Sequence, residues 1–382
     1  MSDRVAIVGL AQTKFEEQKS HQGFSELAYE VVEKVLRETG LTIEEDIDST
    51  VTSSQDFWDG RTISDIPIGD VAGGHLRPEE KVAMDSAQAV YYATIQILSG
   101  HSEVVLLVAH CKESQACRPV IENAAFDPIY QRIVGFDFLA ASALQARRYM
   151  YKYGITEGQC AKVAVKNLRN ARRNPYAQRS MDLTVEQVLN SPMLASPIHR
   201  LETKPQSDGA CAMILAGEEK AQKITARPIW VRGLGDCYDS YYLGDRDLAD
   251  CQSLILAAKR AYKMAGVKNP LREIDVAEVS EEYAYQELLW YEGLGFCQRG
   301  EGGRLIDRGF TEIDGKIPVN PSGGMLTGNP VTVAGMVRVA EATLQLRGEA
   351  GERQVPGAKT ALAHGQSGYC GQYHCVLVLG RD

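Results

Sequence analysis

Ile274-Asp275-Val276-Ala277-Glu278-Val279 begins eight residues beyond Gly266 and repeats an earlier pattern, Ile47-Asp48-Ser49-Thr50-Val51, which begins seven residues beyond Gly40. In both places a helical pattern runs up to the glycine and a strand follows the Ile-Asp pair, so the second half of the chain starts over. Upstream of Gly40, Leu27, Val31, Val32, Val35 and Leu36 recur at helical spacing, and Gly40 ends the segment as a C-cap. Before that helix, the apolar run Val5 to Leu10, closed by Gly9, suits a strand buried on both faces.

Working outward, Ala87 to Leu98 reads as a helix stopped by Ser99-Gly100, and Val104 to Ala109 as a central parallel strand. Phe138 to Tyr153 is a long helix ended by Gly154, and Cys211 to Ala216 a strand after the turn Ser207-Asp208-Gly209. The second half supplies a strand at Pro228 to Leu234, a helix from Gln252 to Ala265 and a helix from Val331 to Leu346. Late strands follow at Thr360 to Ala363 and Cys375 to Leu379. The pattern predicts an α/β protein of two similar halves, residues 1–220 and 221–382.

The chain has 382 residues, 44% hydrophobic and 24% charged, which excludes a disordered or low-complexity protein. With 41 basic against 50 acidic residues and no basic stripe, nucleic acid is not an expected partner. No apolar run reaches the roughly 18 residues of a membrane span, and the start of the chain lacks a signal sequence, so the expected location is cytoplasmic. Nine scattered cysteines without a CxxC pair argue against a disulfide framework and against a metal site on this chain. His75, His101 and His199 stand alone and read as satisfied polar or surface residues.

Three groups of residues carry a family resemblance. Ala146-Arg147-Arg148-Tyr149-Met150, Tyr153-Gly154 and Asn174-Pro175-Tyr176-Ala177 form the first, Ser207-Asp208-Gly209-Ala210 the second, and Gln345-Leu346-Arg347-Gly348-Glu349 with Arg353-Gln354-Val355 the third. In this order and spacing the chain resembles thiolase-superfamily proteins of the sterol-carrier-protein type. The resemblance implies a duplicated α/β/α/β/α thiolase fold with mixed sheets and a helical cap at about 115–205. It also implies a dimer core and action on coenzyme A thioesters.

Members that work by thiolysis use a nucleophilic Cys, and the resemblance places that position at Ala83, with Ser86 as the alternative. Neither is a cysteine. The oxyanion-hole motif falls on Ser280-Glu281-Glu282-Tyr283, and the Gly-His-Pro motif on Gly328-Asn329-Pro330 after Gly323-Gly324. Asn329 can hydrogen-bond a carbonyl oxygen but takes no proton at neutral pH. The C-terminal Gly-rich loop reads His364-Gly365-Gln366-Ser367-Gly368-Tyr369-Cys370-Gly371, with Tyr373 nearby.

These substitutions imply carbon-carbon cleavage in a bulky or branched acyl-CoA without an acyl-enzyme, as a retro-aldol reaction of a β-hydroxyacyl-CoA. The candidate acid/base groups are Tyr283, Tyr285 and Tyr369. Asn329, Ser280 and His364 are the other site candidates, and Gly323, Gly324, Gly328, Gly365 and Gly368 are placed for close approach of the CoA thioester. A tyrosine acts as a base only if a neighbour lowers its pKa from about 10. Two alternatives stay open. One is a thiolase or acyltransferase for a bulky or aromatic β-ketoacyl-CoA such as benzoylsuccinyl-CoA, with Cys111 or Cys370 as a relocated nucleophile. The other is a non-catalytic acyl-CoA-binding subunit. Arg172 and Arg173, with Lys166 and Arg169, form a basic patch suited to CoA phosphates, and the loops at 56–77 and 236–247 shape the acyl pocket. The resemblance further implies a small OB-fold/zinc-ribbon partner, which would carry the only zinc.

Overall fold

The computed structural model describes residues 3–382. The strands of its main sheet are β1 (Val5–Gln12), β2 (Ser49–Ser53), β3 (Glu79–Val82), β4 (Val104–Lys112), β5 (Asp208–Gly217), β6 (Ile229–Tyr238), β7 (Val276–Val279), β8 (Thr360–Ser367) and β9 (Tyr373–Gly380). Their order, β3-β2-β4-β5-β1-β6-β9-β8-β7, is a mirrored repeat. Within each half the first strand lies antiparallel to the last, the last antiparallel to a central strand, and the central strand parallel to the second. The halves meet where β1 pairs with β6, at Ala6↔Trp230 and Ile7↔Ile229.

The Ile-Asp echo now has a physical cause. The Asp48 carboxylate accepts from the backbone N–H groups of Glu103 and Val104, both at 2.8 Å, and so fixes the start of β4. Asp275 does the same for β8 through Lys359 and Thr360, at 2.8 and 2.9 Å. Each half thus uses one carboxylate to set the register of its parallel pair.

The helices that build the core and cap are α1 (Phe24–Thr39), α2 (Ser86–Leu98), α3 (Arg118–Ala124), α4 (Phe138–Tyr153), α5 (Glu157–Asn170), α6 (Gln252–Ala265), α7 (Ala284–Gly293) and α8 (Ala334–Arg347). Strand alternation sorts them into five layers. Val5 and Ile7 of β1 face one core with α2 and α8, which also takes Ala361, Ala363 and Leu377 of the other half. Ala6 and Val8 face α1, while Leu362, Val376 and Val378 face α6 and α7. Helices α3 to α5 cap one end. No helix among the described residues is long and apolar enough to cross a membrane.

Two sequence expectations shift. Gly9 does not close β1; the strand runs through it to Gln12, and Gly9 marks a register irregularity where a Cβ would come within 2.4 Å of Thr39. Strand β5 starts three residues before the expected Cys211, because buried Asp208 is paired with Lys112 at 2.8 Å and continues the ladder beside β4.

The central helices are tied at their N-termini. Asp85 caps α2 by accepting from Ala87 N–H at 3.0 Å, and its other oxygen accepts from Gly335 N–H in the first turn of α8 at 2.9 Å. Ser86 N–H donates to Thr332 C=O, and Ser86 Oγ accepts from Met336 N–H. A Cβ on Gly335 would stand 1.8 Å from Asp85 Oδ1, so the approach requires glycine there.

A second buried network joins the cap to the C-terminal half. Asn167 of α5 and Asn320 each donate to both Glu281 and Glu287, and Lys166 pairs with Glu287 at 2.7 Å. Burial, with the Glu287 charge beside it, pushes the Glu281 carboxyl up to about 8 from its ordinary 4.5. The folded chain therefore holds this proton to a higher pH than the unfolded one, and stability falls as pH rises across that interval. Glu281→Gln is expected to flatten the fall in urea midpoint between about pH 5 and about pH 8.5, whatever it does to the midpoint itself; an unchanged slope would assign the proton elsewhere.

Candidate active site

At the cap end of the central layer lies a cavity of about 550 Å3. Its floor is Ala83 and Met84, just before the α2 cap, with Val331 ahead of α8. Trp58 is buried in the wall at 3% exposure, whereas Phe57 stands at the rim at 71%. Helix α3 contributes Val120, Ile121 and Ala124, and Phe138 opens α4. Tyr238, Tyr373 and the Ser367-Gly368 turn complete it from the C-terminal half. The loops at 56–77 and 236–247 thus supply Phe57, Trp58 and Tyr238.

Ala83 lines this space with a methyl group. The polar centre nearest in kind is Tyr373, whose hydroxyl bonds Gln88 in the first turn of α2 and Asp236 at 3.1 Å. Burial, with the Cys375 thiol and the Asp236 carboxylate beside it, raises this phenol far above its ordinary value. Tyr373 is therefore a neutral hydrogen-bond donor rather than a phenolate. Gln372 donates to the Tyr238 hydroxyl at 2.8 Å, and the Tyr238 and Tyr373 rings lie 6.3 Å apart.

The tyrosines singled out from sequence lie elsewhere. Tyr283 and Tyr285 stack on each other at 6.3 Å inside the cap core, and Tyr285 donates to Gln145 at 2.8 Å. Burial raises both phenols well above 10. Tyr369 stacks on Phe126 at 4.1 Å and donates to Tyr241 C=O, which pins the cap loop to the C-terminal half; burial pushes it up to about 12. None of the three lines the cavity.

The thiols are also withdrawn. Cys111 is fully buried in β4, and its thiol is raised well above 9 by burial and by Glu113 and Asp59. Cys370 is buried beneath the Gly-rich loop and pushed up to about 12. His364 is buried in β8 and shares a 2.8 Å hydrogen bond with His374; burial lowers it to about 3, so it stays neutral. Ser280 Oγ is buried without a hydrogen-bond partner among the described residues. Asn329 has its carbonyl oxygen taken by Arg338 at 2.6 Å.

Of the five candidate glycines, only Gly368 lines the cavity. Gly324 has a φ of 68° and would place a Cβ 2.2 Å from Glu281 Oε1, and Gly365 would place one 2.0 Å from Asp85 Oδ1. Gly323 packs against Thr327, and Gly328 against Gln178. The basic patch divides: Lys166 is buried on Glu287, Arg169 pairs with Glu312 and Arg172 with Asp182, while Arg173 is exposed. Sequence reasoning missed Asp85, whose carboxyl burial pushes up to about 7, and gave Tyr373 only a passing place. The signal for Tyr373 was strand alternation, which sets it on the α2-facing side of β9 with Cys375 and Leu377.

A five-layer duplicated α/β fold with a cavity at the N-terminus of its central helix defines the class. The chain matches the thiolase N-terminal domain over residues 5–185 and the thiolase C-terminal domain over residues 235–381. It belongs to the thiolase superfamily. An acetyl-CoA acetyltransferase of Methanothermobacter thermautotrophicus is 36% identical over 373 residues, covering 95% of this chain and 96% of that one. The benzoylsuccinyl-CoA thiolase subunit BbsB of Thauera aromatica is 33% identical over 60% of each chain. Among solved structures, the Ltp2-ChsH2(DUF35) aldolase superposes with a TM-score of 0.86 at 26% identity, covering 100% of this chain and 98% of that one.

The exposure pattern sets an order of thiol reactivity. Cys117 is exposed, Cys237 and Cys297 are half-buried, and the other six are buried. Brief iodoacetamide treatment of the native protein is expected to alkylate Cys117 first and to spare Cys111 and Cys370, as read by peptide mass spectrometry. Early label on either of those two would restore it as a nucleophile.

Proposed function

We propose that the chain cleaves a carbon-carbon bond in a bulky β-hydroxyacyl-CoA by a retro-aldol path without an acyl-enzyme. One observation carries this reading: among the described residues the cavity presents the methyl group of Ala83 and the hydroxyl of Tyr373, and no thiol. A β-ketoacyl thiolysis needs a sulfur nucleophile, whereas a retro-aldol step needs only a route for the β-hydroxyl proton and stabilisation of the enolate left behind.

Tyr373 and Asp236 supply that route. The neutral phenol takes the β-hydroxyl proton while passing its own to the Asp236 carboxylate. As the Cα–Cβ bond breaks, its electron pair moves to the thioester as an enolate and a ketone or aldehyde forms at Cβ. The proton on Asp236 then returns through Tyr373 to Cα, giving a shortened acyl-CoA and the starting enzyme. This arrangement supplies the base by relay, so no neighbour has to lower the phenol's pKa. The Ser367 hydroxyl and Gln372 amide are the polar side chains beside Tyr373 suited to the thioester oxygen.

The likeness to a two-component aldolase supports a DUF35-type partner, a small OB-fold/zinc-ribbon protein, for this chain as well. The similarity to an acetyl-CoA acetyltransferase over nearly the whole chain favours a second reading, acyl transfer between CoA thioesters. Product analysis separates the two. With a ring-bearing β-hydroxyacyl-CoA, a carbonyl product and a shortened thioester are expected without added CoA and without any adduct by intact-mass spectrometry. Tyr373→Phe and Asp236→Asn should each lower kcat by about 100-fold or more with little change in melting temperature. A CoA-dependent reaction, or an acyl adduct on a cysteine, would establish acyl transfer instead; binding without turnover in the presence of the partner would leave a non-catalytic acyl-CoA-binding subunit.

A further inference from the structure

We infer that the acyl group taken by this cavity is uncharged and carries a ring near the reacting carbons, and that an acyl group with a free carboxylate is rejected. The inference rests on the proposed acyl-CoA reading of the same cavity. Its first support is the lining, which among the described residues contains no Asp, Glu, Lys, Arg or His.

The second support is the state of the cations on the surrounding elements: Arg61 lies over the Phe24 ring, 5.4 Å from its centroid, and five others are held by protein groups. Lys81, at the end of β3 beside Ala83, is held by Asp56 and by Asp65 at 3.3 Å. Arg118 of α3 pairs with Glu122 at 2.5 Å. Arg132 donates to the carbonyl oxygens of Ala124 and Phe126, at 2.6 and 3.2 Å, and Arg246 to that of Tyr369 at 2.9 Å. Arg260 donates to Asp236 C=O. Asp236 itself stands behind Tyr373 as a negative charge. A carboxylate entering here would lose its hydration, gain no cation and face a like charge, which is costly in an apolar site.

The third support is shape. Trp58, Phe138 and the Tyr238–Tyr373 pair line the cavity with aromatic rings, and the small side chains of Ala124 and Ala125 line it with them. Flat walls of this kind make contact across a whole ring, whereas a straight chain fills about 550 Å3 poorly and loses more rotamer freedom on binding. An acyl group of the benzoylsuccinyl type has the ring but also a free carboxylate, and the cavity accepts the first feature and rejects the second.

The test uses the full chain, with any co-purifying partner, and three β-hydroxyacyl-CoA thioesters: phenyl-bearing, straight-chain of equal carbon number, and the phenyl compound with a ring carboxylate. The kcat/KM for the phenyl compound is expected to exceed that for the straight chain by about tenfold and that for the carboxylated one by about 100-fold. Ala124→Phe, on the exposed side of α3, should reverse the preference of ring over chain. Binding is read separately, by quenching of Trp58 fluorescence in Tyr373→Phe, with Trp58→Phe as the control that removes the signal.

Equal or better turnover of the carboxylated thioester overturns the inference, as does failure of all three to bind. If the phenyl thioester binds, the carboxylated one does not and neither is cleaved, the inference stands while the retro-aldol reading falls.

Discussion

The contact on which the molecule depends is the Asp85 carboxylate at the junction of α2 and α8. It accepts one backbone N–H from each helix and, with the neighbouring Ser86 hydroxyl that accepts from Met336 N–H, joins the two copies of the repeated unit at the centre of the fold. Everything near it is shaped by that approach. Gly335 and Gly365 must be glycine because a Cβ on either would meet the carboxylate, and Ala83 and Met84 are held at the cavity floor because they lead into the cap. Burial pushes this carboxyl up to about 7, against the pull of its two N–H donors towards the charged form.

Buried charge recurs through the C-terminal half. Arg338 of α8 joins Glu278 at 3.0 Å and Asn329 at 2.6 Å, and Arg353 joins Glu341 of the same helix at 2.7 Å. These pairs occupy positions in α8 that are buried along almost its whole length. Asn329 is thereby part of the scaffold through its oxygen. Fixed polar groups surround an apolar cavity, and of the two phenols at its wall Tyr373 is backed by a carboxylate. That arrangement suits proton movement more than nucleophilic attack.

The repeat was legible because it is local. Gly40 and Gly266 are both left-handed C-caps, with φ of 70° and 73°, and Asp48 and Asp275 each accept from the first residues of a neighbouring strand. Helices α4 and α6 begin and end where the apolar periodicity and the terminal glycine place them. The tyrosines were harder. Tyr283 and Tyr285 stand in a motif associated with the site, but each side chain turns into the cap core, where α4 and α5 meet α7. Tyr373 lies nine residues after His364, and only the antiparallel pairing of β8 with β9 brings its hydroxyl back to the first turn of α2.

By itself the sequence determined the α/β alternation, the duplication, the absence of a cysteine at Ala83 and the membership of the thiolase superfamily, since each is written in residue type and spacing. The tertiary structure decided which of the candidate side chains share a space. Pairs such as Tyr373 with Gln88, 285 residues apart, and Asp85 with Gly335, 250 apart, are made by the packing of the two halves. The same packing decided protonation, because burial and neighbouring charge set whether a phenol, thiol or imidazole is active, and neither is a local property of the chain.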